Sequence, residues 1–201
     1  MFMDDPYIYI DKNSLSPELC RDIIEIFEET PNEPAKTLGG LNEILRARQC
    51  SNINLKSHPI WTQINTFLTN EVSNALHKYI YNIDKQLPDS EGYQSFNKLI
   101  YQGFHINKYS CDVSGRYGYH VDCHINKENL ERCITFIWYL NDVTIGGETE
   151  FRGRFAVKPE TGKLLLFPAT WTYPHSSKPV ISNDKYIIVG WFLVDRTVTK
   201  L

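Results

Sequence analysis

The apolar positions of this chain change their period once. From Ser16 onward they follow a helix: Leu19, Ile23, Ile26 and Phe27 share one face, Ser16 offers an N-cap oxygen, and Pro17 suits the first helical position. A second helix is predicted from about Ser57 or His58, with Pro59 early and Ile60, Ile64, Phe67, Leu68, Val72, Leu76, Tyr79 and Ile80 forming one stripe. Between them, Thr30-Pro31-Asn32-Glu33-Pro34 and Gly39-Gly40 read as loop. Residues 48–55 read as an edge strand behind that loop, which is either a lid or a plain surface connection. Beyond the loop Leu87-Pro88-Asp89-Ser90-Glu91-Gly92 the period falls to two. Short β-branched and aromatic runs, punctuated by glycine, asparagine and proline, predict strands at 100–109, 117–122, 133–140, 148–151, 163–167, 172–175 and 185–194.

Successive short strands with no helical pattern between them indicate an antiparallel sandwich or jelly roll, with the front helices supporting one face. The expectation is an α+β fold with a mainly β core. It would form a single domain over residues 1–201, with a helix-rich front (1–97) and a jelly-roll part (98–195). At 201 residues with 42% apolar and 13% aromatic content, the chain can bury a substantial core. A formal charge of −3 supplies no global basic field, which disfavours nucleic acid as a partner. No apolar run approaches the ~20 residues of a membrane span, and Met1-Phe2-Met3-Asp4-Asp5-Pro6 does not resemble a secretory leader, so a cytoplasmic location is expected. The cysteines, Cys20, Cys50, Cys111, Cys123 and Cys133, are odd in number and contain no Cys-x-x-Cys pair, which points to reduced thiols.

Chemistry enters at His120-Val121-Asp122. Residues two apart on an extended strand project from one face, so the imidazole and the carboxylate can share an ion. His175, closing the run Trp171-Thr172-Tyr173-Pro174, would come from the opposite side of the roll to complete two nitrogens and one carboxylate oxygen. That set leaves octahedral positions open for substrates, as in non-haem iron(II) oxygenases. His124 shares the face of His120 and Asp122 if the strand continues, and is the rival ligand, placed at the rim; Cys123 lies between these residues. On the strand from Lys185, alternation puts Lys185, Ile187, Val189 and Trp191 on one face and Tyr186, Ile188 and Phe192 on the other. Lys185 on an apolar face either reaches solvent or meets an anion inside the mouth of the roll.

The order of His120-x-Asp122, Tyr139-Leu140-Asn141-Asp142, Gly146-Gly147-Glu148-Thr149-Glu150-Phe151, Pro174-His175, Pro179-Val180 and Lys185-Tyr186 resembles the catalytic half of the prolyl 4-hydroxylase family of 2-oxoglutarate oxygenases. The resemblance covers roughly residues 100–194. It implies a double-stranded β-helix and iron(II) held by His120, Asp122 and His175. It also implies 2-oxoglutarate paired through its distal carboxylate with Lys185, O2 as oxidant, and ascorbate as a candidate reductant. Lysine at 185 resembles the collagen-type, plant and viral enzymes, whereas Arg132-Cys133-Ile134-Thr135 with Trp138-Tyr139-Leu140-Asn141 is similar to the oxygen-sensing branch. Tyr139, expected to face inward with Cys133, Thr135 and Ile137, matches the family tyrosine that donates to the same carboxylate, and Tyr109 is a further candidate there. Gly146-Gly147 fits a tight turn bordering the substrate groove.

The implied reaction is hydroxylation of an aliphatic C–H with release of succinate and CO2. Asp122 stands where halogenating relatives carry a small residue, so hydroxylation is expected. A peptidyl proline is the first candidate substrate; a free amino acid, another protein side chain or a small metabolite are alternatives. Arg116, Tyr117, His124 and Arg152 are candidate groove residues by proximity. Two readings of other classes stay open: a non-catalytic module that binds metal and 2-oxoglutarate, and a zinc hydrolase using the same three ligands.

Overall fold

The computed structural model describes residues 5–34, 48–86 and 99–197. Strand β1 (Tyr9–Asp11) and helix α1 (Pro17–Glu29) come first, followed by β2 (Glu33–Pro34), β3 (Arg48–Gln49) and β4 (Ser51–Asn54). Two single 3-10 turns, Leu55–Ser57 and Pro59–Trp61, lead into helix α2 (Thr62–Gln86). The remaining strands are β5 (Ile100–Tyr109), β6 (Arg116–His120), β7 (Leu130–Tyr139), β8 (Thr149–Phe151), β9 (Phe155–Val157), β10 (Leu164–Pro168), β11 (His175–Ser177) and β12 (Lys185–Asp195). They form two sheets, a seven-stranded one in the order β1-β10-β7-β12-β5-β4-β2 and a five-stranded one in the order β3-β6-β11-β8-β9. Every strand pairing is antiparallel, as a jelly roll requires. Among the described residues no helix is long and apolar enough to cross a membrane.

Strand alternation divides the interior in two. From β7, β10 and β12, Phe136, Trp138, Leu164, Leu166, Tyr186, Ile188 and Phe192 pack under the helices with Ile23 and Phe27 of α1 and Leu68, Val72 and Tyr79 of α2. The odd members of the same strands, Ile137, Tyr139, Leu165, Phe167, Ile187 and Val189, face the smaller sheet and pack with Phe151, Val157 and Tyr173. The seven-stranded sheet is thus buried on both faces, which explains why its strands are apolar at nearly every position.

Helix α1 begins as expected: the Ser16 Oγ accepts from the Leu19 N–H at 3.2 Å and Pro17 opens the first turn. The second helix starts later than its stripe implies. Pro59–Trp61 is a 3-10 turn, whose tighter winding turns Trp61 inward and leaves Ile60 59% exposed; Phe67 is also exposed, and Ala75 and Ile83 join the buried face instead.

Residues 48–55 are not one edge strand. The chain passes from the smaller sheet to the larger across Cys50: β3 is an edge, but β4 is flanked by β2 and β5. Cys133 leaves the inward face as well. Phe192 pairs with Ile134 and Leu193 with Arg132, so Cys133 is the extra residue of an irregularity in β7 and packs on the helix side. Residues 35–47 and 87–98, where the sequence reads as loop in part, lie outside the described residues.

Candidate metal centre

His120 ends β6 and His175 opens β11, and the two are register partners on adjacent antiparallel strands. The expectation that His175 closes a strand on the opposite side of the roll is corrected here. Side chains facing one another across a strand pair stand close enough to share an ion without spanning the cleft. Strand β6 stops at His120, so Asp122 reaches the site from the segment just beyond it. The ligand atoms of His120, Asp122 and His175 lie within 4.8 Å of one another. Asp122 Oδ1 is 3.6 Å from His120 Nε2, and its Oδ2 is 3.5 Å from His175 Nε2.

The surroundings prepare these groups as ligands. His120 Nδ1 lies 2.8 Å from the Gly118 carbonyl and His175 Nδ1 3.1 Å from the Tyr173 carbonyl. A proton held on each Nδ1 leaves both Nε2 lone pairs aimed inward. Burial, then the neighbouring His175, draws the His120 pKa down to about 4 and keeps its ring neutral. Burial pushes the Asp122 carboxyl up, but His175, His120 and a 2.8 Å hydrogen bond from Thr135 outweigh it and hold the carboxylate ionised. Two imidazole nitrogens and one fixed carboxylate oxygen fit a first-row divalent ion.

Lys185 opens β12 opposite Tyr109 and is 1% exposed. Its Nζ donates to the Gly147 carbonyl at 2.7 Å and to Ser177 Oγ at 2.5 Å, and sits 4.7 Å from the centre of the Tyr109 ring. No carboxylate stands within ion-pair distance of it among the described residues, and burial pulls its pKa down to about 7. Gly146 and Gly147 shape this corner. Both have positive φ, at 81° and 74°, and a Cβ on Gly146 would lie 2.2 Å from the Pro179 carbonyl oxygen.

His120, Asp122, His175 and Lys185 line one cleft of about 880 Å³, together with Tyr109, Tyr117, Cys123, His124, Thr149, Ser177 and Trp191. Tyr139 is wholly buried behind this wall, and its hydroxyl donates to Thr149 Oγ1 at 2.7 Å. Tyr109 is equally buried and its phenol faces Cys50. Tyr117 stacks on the His120 ring at 3.6 Å. Arg116 instead bonds Gln49, and Arg152 lies over Tyr119, both outside the cleft lining. His124 lines the cleft half-buried and stands outside the group formed by His120, Asp122 and His175, since β6 ends four residues earlier. The Cys123 thiol donates to Glu131 at 3.2 Å, which pushes its pKa up and disfavours the thiolate.

Sequence reasoning missed four contributors: Thr135 as the Asp122 donor, Thr149 and Ser177 on the cleft wall, and Arg48, which enters the cleft from β3. Ser177 was within reach of pattern, since it stands two residues from His175 on one strand and so shares its face.

Residues 104–193 match the model of the 2OG-Fe(II) oxygenase superfamily. Prolyl 4-hydroxylase 13 of Arabidopsis thaliana is 30% identical over 123 residues, covering 48% of this chain and 44% of its own length, so the match spans less than half of that protein. Among solved structures, a viral collagen prolyl hydroxylase from Paramecium Bursaria Chlorella virus-1, in complex with 2OG, superposes with a TM-score of 0.68 at 16% identity over 96% of this chain and 99% of that one. A prolyl hydroxylase from Trichoplax adhaerens, in complex with a hypoxia inducible factor peptide fragment, also gives a TM-score of 0.68, at 18% identity over 99% and 90%. At such identities these two establish likeness of fold.

Proposed function

We propose that this chain, a prolyl 4-hydroxylase-like 2-oxoglutarate- and Fe(II)-dependent dioxygenase, hydroxylates a peptidyl proline, with His120, Asp122 and His175 as its metal ligands and Lys185 as its co-substrate anchor. When bound, iron(II) and 2-oxoglutarate supply the oxidising chemistry, in which O2 is consumed, 2-oxoglutarate becomes succinate and CO2, and a C–H becomes C–OH. The observation that carries the reading is the ammonium of Lys185, buried in the same cleft as the triad with no carboxylate to meet it among the described residues. An uncompensated buried charge is costly, and the distal carboxylate of the co-substrate is the missing anion. A zinc hydrolase has no use for it.

The protein's own part is to hold and to shield. Each imidazole is locked by its carbonyl acceptor, and Thr135 fixes one oxygen of Asp122. Thr149 accepts from Tyr139, which leaves its own proton free to donate into the cleft; the role of Tyr139 is exerted through that hydroxyl. Tyr109 supports the ammonium with its ring face. Ile187 and Val189 follow Lys185 on the same face and exclude water. A peptide substrate is supported by the Arabidopsis relative and by the peptide fragment held by the Trichoplax enzyme. We take residues 1–201 as one domain, since the described helices and sheet share a core, and the cytoplasm as its expected location.

The test is 2-oxoglutarate binding to anaerobic, iron(II)-loaded protein, followed by visible metal-to-ligand charge-transfer absorption. The band should vanish in His175→Ala and require far more co-substrate in Lys185→Ala. A wild-type protein with neither band nor affinity overturns the reading.

A further inference from the structure

Two guanidinium groups in the cleft have no place in the scheme above. Arg48 enters from β3 and Arg132 from β7, one from each sheet, and both line the cavity that holds the triad. Arg132 lies with its Cζ 3.5 Å above the centre of the Trp191 ring and donates through Nε to Gln102 at 3.0 Å. Arg48 donates through Nε to Cys50 Sγ at 3.2 Å and rests 4.9 Å from the centre of the Tyr117 ring, which itself stacks on His120. Each guanidinium is therefore oriented by a flat aromatic surface and one hydrogen bond. Neither forms an ion pair among the described residues.

Charge balance sharpens the point. With iron(II) and doubly ionised 2-oxoglutarate in place, Asp122 and Lys185 bring that part of the cleft to neutrality. Arg48 and Arg132 then stand against a single further carboxylate on the wall, that of Glu33 on the exposed strand β2. The positive field extends to His105, whose pKa burial, Arg48 and Arg132 together draw down to about 4, so this neighbour adds no charge. Two like-charged, half-buried groups that face one cleft from either sheet repel each other unless an anion joins them.

We propose that Arg48 and Arg132 receive a carboxylate carried by the prime substrate close to the carbon that is hydroxylated. The proposal rests on the oxygenase reading and narrows its substrate to an acidic one. Two sources share this chemistry: an acidic residue flanking the target proline, and the free carboxylate of a substrate's own C-terminus.

Capped twelve-residue peptides with one proline, carrying Glu, Gln or Lys at each flanking position, address the first source; peptides ending in proline as free acid or amide address the second. Binding is measured by titration calorimetry on protein loaded with Mn(II) and 2-oxoglutarate, and succinate formation is followed on the iron-loaded enzyme. A charge-assisted pair predicts that the Glu or free-acid form binds roughly 10- to 100-fold tighter than its neutral isostere. That preference should collapse toward one in Arg48→Gln and in Arg132→Gln. Equal binding of charged and neutral forms in every arm, or no binding in any, overturns the proposal. So does a loss of 2-oxoglutarate affinity in both variants as large as the loss of peptide affinity, because that would put the guanidiniums on the co-substrate. An absent charge-transfer band in wild type would strike the oxygenase reading itself; an intact band without carboxylate preference strikes only this inference.

Discussion

Lys185 is the residue at which burial is least comfortable. Its proton leaves near pH 7 in the folded chain, against an ordinary value of 10.5. The unfolded chain therefore holds more protons between those limits, and stability rises with pH across them, by about 1.4 kcal/mol per pH unit. The cost of the buried ammonium is full below pH 7 and is relieved as pH climbs to 10.5. Lys185→Met should accordingly stabilise the co-substrate-free protein most below pH 7 and little at pH 10, as read by urea melts at several pH values. The anion reverses this: 2-oxoglutarate affinity should be flat below pH 7 and fall above it by roughly tenfold per pH unit. Thr135→Val removes the 2.8 Å donor to Asp122, and metal affinity should drop roughly 10- to 100-fold in a competition titration with a chromogenic chelator. At this scale the triad was legible because His120 and Asp122 are two residues apart and few other histidines have a carboxylate so near. Thr135, Thr149 and Arg48 were not, because each meets its partner across strands whose register no local spacing encodes.

Among the elements, long strands and capped helices announce themselves and short ones do not. Strand β5 begins and ends where its alternation does, and α1 begins at Pro17, just after its Ser16 cap. Strands β1, β2 and β9, of two or three residues, are too short to show a period and exist only because neighbours supply their hydrogen bonds. Cys133 shows the other limit, since one irregular residue in β7 reverses a face that strict alternation assigns. The turn at Gly146-Gly147 is where an element controls the site, because it delivers the carbonyl that Lys185 bonds. Gly146→Ala forces a left-handed φ and a 2.2 Å approach to the Pro179 oxygen, so the turn must move. Stability should fall by about 1–3 kcal/mol in denaturant melts, and 2-oxoglutarate affinity should fall with it.

For the molecule as a whole, the two anchors proposed for the co-substrate belong to different layers. His120 and His175 stand on the five-stranded sheet, and Lys185 stands on a central strand of the seven-stranded one. A ligand bound to both joins them. At a hundredfold excess over Kd, the joint ligand Mn(II) with 2-oxoglutarate should add about 2.7 kcal/mol and raise Tm by roughly 5–10 °C in a thermal scan. Amide exchange should slow most in β6, β8 and β11, strands of three to five residues against ten and eleven in β7 and β12; equal slowing in the latter would argue against bridging. The jelly-roll class was readable from strand spacing alone, but the assignment of strands to sheets was not, since antiparallel order depends on which connections cross over.

The passage of the chain from one sheet to the other through the single residue Cys50 has a mechanical meaning. Of the links between the two layers this is the shortest, so the edge it ties, like the spine of a bound book, has the least freedom to open. Arg48 is two residues from that spine and the phenol of Tyr109 rests against it. Whatever breathing admits a bulky guest, the groups nearest the binding would move least, and recognition would be gauged from a stationary margin.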